Sequence, residues 1–143
     1  MTAITLRKAR KIVSSALAKG REAGMQPLAV CVLDAGGHLK AFEREDGASN
    51  GRFEIARGKA NGALEMGIGS RALFNRAEQQ AYFVLAAGRI FDHGMIPVPG
   101  GVLVRDRKGV IAGAVGISGD NSDNDEAAAI AGIEAAGFTA DPG

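Results

Sequence analysis

The chain has 143 residues, 17 of them basic and 16 acidic, for a formal net charge of +1. That length is one ordinary domain, able to bury roughly two-thirds of its unfolded surface without a disulfide or metal staple, and the charge balance excludes the basic footprint of a nucleic-acid binder. No stretch approaches the ~20 apolar residues of a membrane span. The basic, amphipathic start at 1–11 has no apolar run of signal-peptide length behind it, so the expected location is the cytoplasm.

Thr5 is placed to cap a first helix in which Leu6, Ala9, Ile12, Val13, Ala16 and Leu17 recur at helical spacing. Gly20 and Gly24 end it, and Pro27 prevents its return. Residues 28–33 are a continuous apolar run of strand length, Asp34-Ala35-Gly36-Gly37 is a turn, and 38–43 read as the return strand of a first hairpin. Cys31, the only cysteine, falls inside that run and reads as a buried structural thiol rather than a nucleophile.

The polar loop Arg44-Glu45-Asp46-Gly47-Ala48 leads into a second helix, capped by Ser49 or Asn50, with Phe53, Ala56, Ala60, Ala63 and Leu64 on one side. Gly67 and Gly69 end it. Ser70 caps a third helix that runs over roughly 71–87 and ends at Gly88. A long connection at 89–101 contains His93, Pro97, Pro99, Gly100 and Gly101; connections of that length without structure are usually functional or mobile. Residues 102–105 and 110–118 pair across the turn Asp106-Arg107-Lys108-Gly109. Gly113 and Gly116 inside the second of these strands mark a bulge or a close backbone approach.

Ser122 caps a last helix whose first turn carries Asp123, Asp125 and Glu126, where the helix dipole favours negative charge. The rest of that helix is small and apolar almost all round, which places it between the sheet and another layer. Residues 141–143 read as a frayed tail. The order is α-β-β-α-α-β-β-α in one domain, an α+β fold with a mainly antiparallel sheet.

Four stretches, taken together and in this order, are similar to the GlcG/HbpS-like family: Leu28-Ala29-Val30-Cys31-Val32-Leu33-Asp34-Ala35-Gly36-Gly37-His38-Leu39; Arg44 to Ala48; Pro97-Val98-Pro99-Gly100-Gly101-Val102; and Gly113-Ala114-Val115-Gly116-Ile117-Ser118-Gly119 followed by Asp125-Glu126. The resemblance extends from about Thr5 to Phe138. It implies a profilin-like fold, kinship with the C-terminal domain of some corrinoid adenosyltransferases, a homo-oligomer and a ligand site near subunit contacts. It also implies roles such as haem or cobalamin binding, redox sensing, or service in a catabolic operon. Haem is thereby a candidate cofactor. Relatives tend to carry a Lys-Ala pair that Lys59-Ala60 matches.

His93 is the foremost candidate for acid/base work, metal ligation or haem ligation. His38 follows a Gly-Gly turn and reads as a hairpin surface residue. The two histidines show no metal-ligand spacing, though they can meet in space with Asp46 or Glu54, so the metal requirement stays open. Gly100 and Gly101 leave backbone N–H groups for an anion. Arg44 and Arg89 are candidate carboxylate binders, and Lys59 sits beside the small side of its helix. No hydrolase elbow surrounds Ser118, and no dinucleotide or phosphate-loop motif is present.

Two functions fit these residues. One is an accessory protein that binds a small, anionic, carboxylate-bearing ligand or a tetrapyrrole through Arg44, Arg89, Gly100 and Gly101. The other is a small enzyme of organic-acid or aromatic catabolism with His93, Lys59 and Asp46 as its catalytic groups. Both expect the 44–48 loop, Lys59 and the 89–101 connection to converge on one cleft at the sheet edge. The alanine-rich last helix and glycine-rich last strand are the surfaces expected to drive self-assembly.

Overall fold

A computed structural model describes residues 3–143; Met1 and Thr2, which open the basic start of the chain, lie outside the described residues. The elements are α1 (Leu6–Glu22), β1 (Ala29–Asp34), β2 (Leu39–Arg44), α2 (Arg52–Met66), α3 (Ser70–Ile90), β3 (Gly101–Arg105), β4 (Ile111–Ser118), α4 (Ser122–Ala135) and β5 (Thr139–Asp141). The expected α+β order is found, with one strand more. The added strand, β5, pairs with β3 and ends on Asp141, the first residue of the 141–143 segment expected to fray. Arg105 Nε holds Asp141 Oδ2 at 2.8 Å and the Arg71 backbone N–H donates to the Pro142 carbonyl at 3.1 Å, so long-range contacts secure a strand too short to show a period.

The strands lie in the order β2-β1-β4-β3-β5, every neighbouring pair antiparallel. Alternation along a strand sends successive side chains to opposite faces. Val30, Val32, Val115 and Ile117 pack with α1 and α4, whereas Cys31, Leu33 and Ala114 pack with the alanines of α2. Continuous apolar runs in β1 and β4 are therefore the signature of central strands covered on both sides.

α4 lies beside α1 on one face rather than beneath a further layer: Ala128, Ala129, Gly132 and Ile133 are buried, and a Cβ at Gly132 would collide with the Ile12 carbonyl. Its small surface and the glycines of β4 are consumed within one chain. A Cβ at Gly116 would overlap the Ala56 carbonyl, so α2 rides directly on the backbone of β4. The surfaces expected to drive assembly are thus internal packing surfaces.

Some caps differ from expectation. Asn50 is engaged by Arg44 and Gly51 stands at the N-cap of α2; Ser70 accepts from the Gly101 N–H at 2.7 Å and Gly69 precedes α3; Asn121, not Ser122, caps α4 by accepting from Asn124 N. α3 continues past Gly88 to Ile90, with a break in helical geometry at Gln80. The connection after it is tied down along α2. Ile96 N donates to the Gly58 carbonyl at 3.1 Å, Asn61 Nδ2 donates to the Gly94 carbonyl at 2.9 Å, and Met95 is buried. Gly58 and Gly62 make room for Ile96 and Met95.

Cys31 is fully buried, and that burial, opposed by the charge of Arg57, pushes its thiol up to about 12. A thiol so placed carries almost no thiolate at neutral pH. Native protein is expected to resist iodoacetamide at neutral pH and to react in full after denaturation; rapid labelling of folded protein would contradict the packing.

Candidate functional site

Lys59, expected to face a ligand, is 2 % exposed. α2 lies so close to β4 that the lysine has only the end of that strand to reach. Its Nζ donates to the Ile117 carbonyl at 2.9 Å and to Asp125 Oδ2 at 3.1 Å. Burial, partly offset by the opposite charge of the partner, pushes the lysine below its ordinary range and the carboxyl above its own. Asp125 Oδ1 also accepts from Asp120 N at 2.9 Å. This acid is therefore more than a dipole partner in the first turn of α4: it ties that turn to α2 through the core.

Gly100 and Gly101 belong to the same packing. Gly100 has φ +119°, and a Cβ there would lie 2.9 Å from both Lys59 Nζ and the Ile117 carbonyl. A Cβ on Gly101 would overlap the Lys59 carbonyl, and the Gly101 N–H is taken by Ser70. These glycines admit the lysine and the strand; the expected free anion-binding N–H of Gly101 is occupied.

Arg44 and Asp46 sit at the other end of the first hairpin from His38. Arg44 Nη1 donates to the Ala48 carbonyl and to Asn50 Oδ1, each at 3.0 Å, which fixes the loop. With Arg21, Pro27 and Glu45 they line a shallow groove of about 430 Å³. Arg89 is exposed on the last turn of α3 and lines neither this groove nor the cleft around His93. The expected single cleft is thus divided. Arg44 and Asp46 are at one end of β2, Lys59 is in the core, and His93 is beyond the far end of the hairpin, because the register that pairs Ala29 with Arg44 puts the 34–38 turn a full strand length away.

At that turn the structure brings together residues the sequence kept far apart. His38, Arg57, Asn61, Glu65, Asp92 and His93 line a cleft of about 230 Å³, and a second lobe adds Phe53 and Glu54. Arg57 Nη2 lies 3.0 Å from His93 Nε2, and the guanidinium stands over the Phe53 ring, 5.9 Å from its centroid. Arg57 Nε is buried without a hydrogen-bond partner, and no carboxylate among the described residues forms an ion pair with this arginine. No group of three His, Cys, Asp or Glu among the described residues is gathered closely enough to hold a metal ion.

Arg57 was not among the residues singled out in the sequence. Phe53, Arg57, Asn61 and Glu65 recur every four residues on α2, a polar stripe that begins under an aromatic ring and flanks the buried Ala56, Ala60 and Ala63. That stripe is the signal the sequence offers for Arg57, and it runs directly beside the stronger apolar one. A larger and shallower hollow, about 1120 Å³, lies over α1 and carries Arg7, Lys8, Arg10 and Lys11 with Glu43 of β2; no imidazole, thiol or thioether lines it.

The family model described as haem degrading protein HbpS-like matches residues 4–134. The chain belongs to the HbpS-like family. Among solved structures, a haem complex of PduOC superposes with TM-score 0.84 at 22% identity, covering 96% of this chain and 97% of that one. The ORFY protein of Klebsiella pneumoniae gives TM-score 0.84 at 23% identity over 95% and 92%. A double mutant of Streptomyces reticuli HbpS gives 0.80 at 26% over 94% and 87%. No curated protein matches the chain. The family membership expected from the four sequence stretches is therefore shown. Among the described residues no helix is long and apolar enough to cross a membrane.

Proposed function

We propose that this HbpS-like chain is an accessory protein that binds a small carboxylate-bearing ligand in the Arg57–His93 cleft, and that it works as a homo-oligomer. The observation that carries the ligand reading is Arg57: a guanidinium facing a cleft with one buried donor unpaired and no ion pair to the Glu54, Glu65 or Asp92 carboxylates that also line it. Arginine is matched in geometry to planar carboxylates, and Phe53 beneath it offers an apolar surface for the rest of the ligand.

Haem is named in the family description and in the PduOC complex, but the residues of one chain do not fit it. The cleft with the imidazoles has two lobes of about 230 and 240 Å³, room for a small ligand at the lower end of the ~300–1,000 Å³ range of such sites but not for a tetrapyrrole. The hollow over α1 has the volume and the cations for propionates, but none of the imidazole, thiolate, thioether or phenol side chains that usually ligate haem iron. The test is parallel titration with benzoate and with haemin. Benzoate is expected to raise the melting temperature with concentration, as any ligand of the folded state does, and to shift the His93 ring resonances. A protein that ignored benzoate but gave a Soret shift with haemin, unaffected by His93→Ala, would overturn this reading.

Assembly is supported by the second half of α3, where Tyr82, Leu85 and Ile90 are 73%, 68% and 77% exposed. Large apolar side chains clustered on one helix face are what a partner surface covers. The expected partner is a second copy. Light scattering at micromolar concentration should report a multiple of the chain mass, and the double variant Tyr82→Glu, Leu85→Glu should reduce it to one; a monomeric wild type would refute the assembly.

A further inference from the structure

This inference rests on the carboxylate reading of the cleft and adds what happens to the arginine and the histidine when the ligand arrives. A guanidinium has only donors. The 3.0 Å contact between Arg57 Nη2 and His93 Nε2 therefore has Nε2 accepting, so the imidazole is neutral there and carries its proton on Nδ1. The neighbouring donor, Arg57 Nε–H, is buried and unpaired. Leaving a buried donor unpaired is unfavourable, so the guanidinium has an edge that is half used.

Nε–H and Nη2–H leave the same edge. This chain shows how a carboxylate uses it: Arg71 holds Glu126 with Nε 2.9 Å from Oε2 and Nη2 3.2 Å from Oε1. A carboxylate has two oxygens for that edge, whereas an imidazole nitrogen engages one donor. We propose that a carboxylate ligand takes Arg57 side-on through Nε and Nη2, displaces His93 Nε2, and that the freed His93 takes one proton from solvent and donates Nε2–H to the ligand. The Arg57–His93 contact is then the resting state of a proton-coupled anion site.

The charges around His93 favour that exchange once the ligand has neutralised Arg57. Asp92 adjoins it in the chain, Glu54 and Glu65 approach from α2, and His38 and Asn61 complete the wall from the hairpin turn and α2. Before the ligand binds, a proton on His93 Nε2 would point at an Arg57 N–H 3.0 Å away, and two donors cannot pair. Charge enters the cleft as an ion pair, the ligand anion together with a proton.

Calorimetric titration of the wild-type protein with benzoate, in buffers of different ionisation enthalpy at one pH near neutrality, counts the protons. The expected result is uptake of roughly half to one proton per benzoate, with affinity falling as the pH rises above the ordinary imidazole range near ~6.5. His93→Gln keeps a hydrogen-bonding side chain that does not titrate. It should bind benzoate more weakly, exchange no proton and lose the pH dependence. Benzoate binding by the wild type without proton uptake would overturn the coupling and leave the carboxylate reading standing. Uptake that persists in His93→Gln would also overturn the coupling. Absence of benzoate binding would remove the carboxylate reading and this inference with it.

Discussion

Lys59→Ala is expected to lower the melting temperature by roughly 10 °C or more, because it removes one half of a buried ion pair and leaves the other. Asp125 is 1 % exposed and would lose its counter-charge, and the Ile117 carbonyl would lose its donor. Breaking a buried pair from one side costs about 3–5 kcal/mol, and each kcal/mol shifts the midpoint of a domain of this size by roughly 3 °C. The loss has a definite pH dependence. Burial already raises the Asp125 carboxyl above its ordinary value, and removal of Lys59 takes away the charge that opposes the rise. A carboxyl raised in the folded state contributes stability below its unfolded value near ~4, and that contribution is lost as the pH rises through the folded value. The variant should therefore suffer least in mild acid and most at neutral and alkaline pH. Lys59→Met with Asp125→Leu should recover much of the loss, since an apolar pair of similar volume avoids the uncompensated charge. Thermal melts of the three proteins across pH decide the matter. A Lys59→Ala protein as stable as wild type at neutral pH would show that the pair is not closed in solution.

Arg57→Ala is expected to act in the opposite way, sparing the fold and weakening the ligand. The side chain reaches the surface, forms no ion pair among the described residues and keeps one buried donor unpaired, so its removal should leave the melting temperature within a few degrees. Loss of a charge-assisted contact to a carboxylate costs about 1.5–3 kcal/mol, or roughly ten- to a hundredfold in dissociation constant. Arg57→Lys should recover only part of this, because an ammonium cannot offer two parallel donors. Benzoate titration of the three proteins, with melts run beside them, separates binding from folding. Unchanged affinity in Arg57→Ala would mean that the ligand enters elsewhere, and the cationic hollow over α1 would be the next place to look.

The contrast between these two residues shows where the sequence was legible. Lys59 and Arg57 are two positions apart on one helix and carry the same charge. Their fates differ because α2 presses Lys59 onto β4 and turns Arg57 toward the hairpin turn. Helical spacing assigns residues to faces but does not say which face meets backbone closely enough to trap a lysine. Gly101 and Gly116 decide that from another part of the chain. The same holds for His93: its place in a long loop drew attention, but its partner lies 36 residues away on α2.

What the sequence determined by itself was the order of the four helices and the first four strands, the burial of Cys31 and the family, because apolar period, turn chemistry and short motifs act over a few residues. The tertiary structure alone decided the rest. It added β5, whose three residues hold their place through Arg105. It joined Lys59 to Asp125 across 66 positions, and it divided one expected cleft into a loop groove, a core ion pair and the Arg57–His93 site. Such pairings are fixed by how closely a helix settles on a sheet, and that distance is set by glycines and side-chain volumes from four separate elements at once.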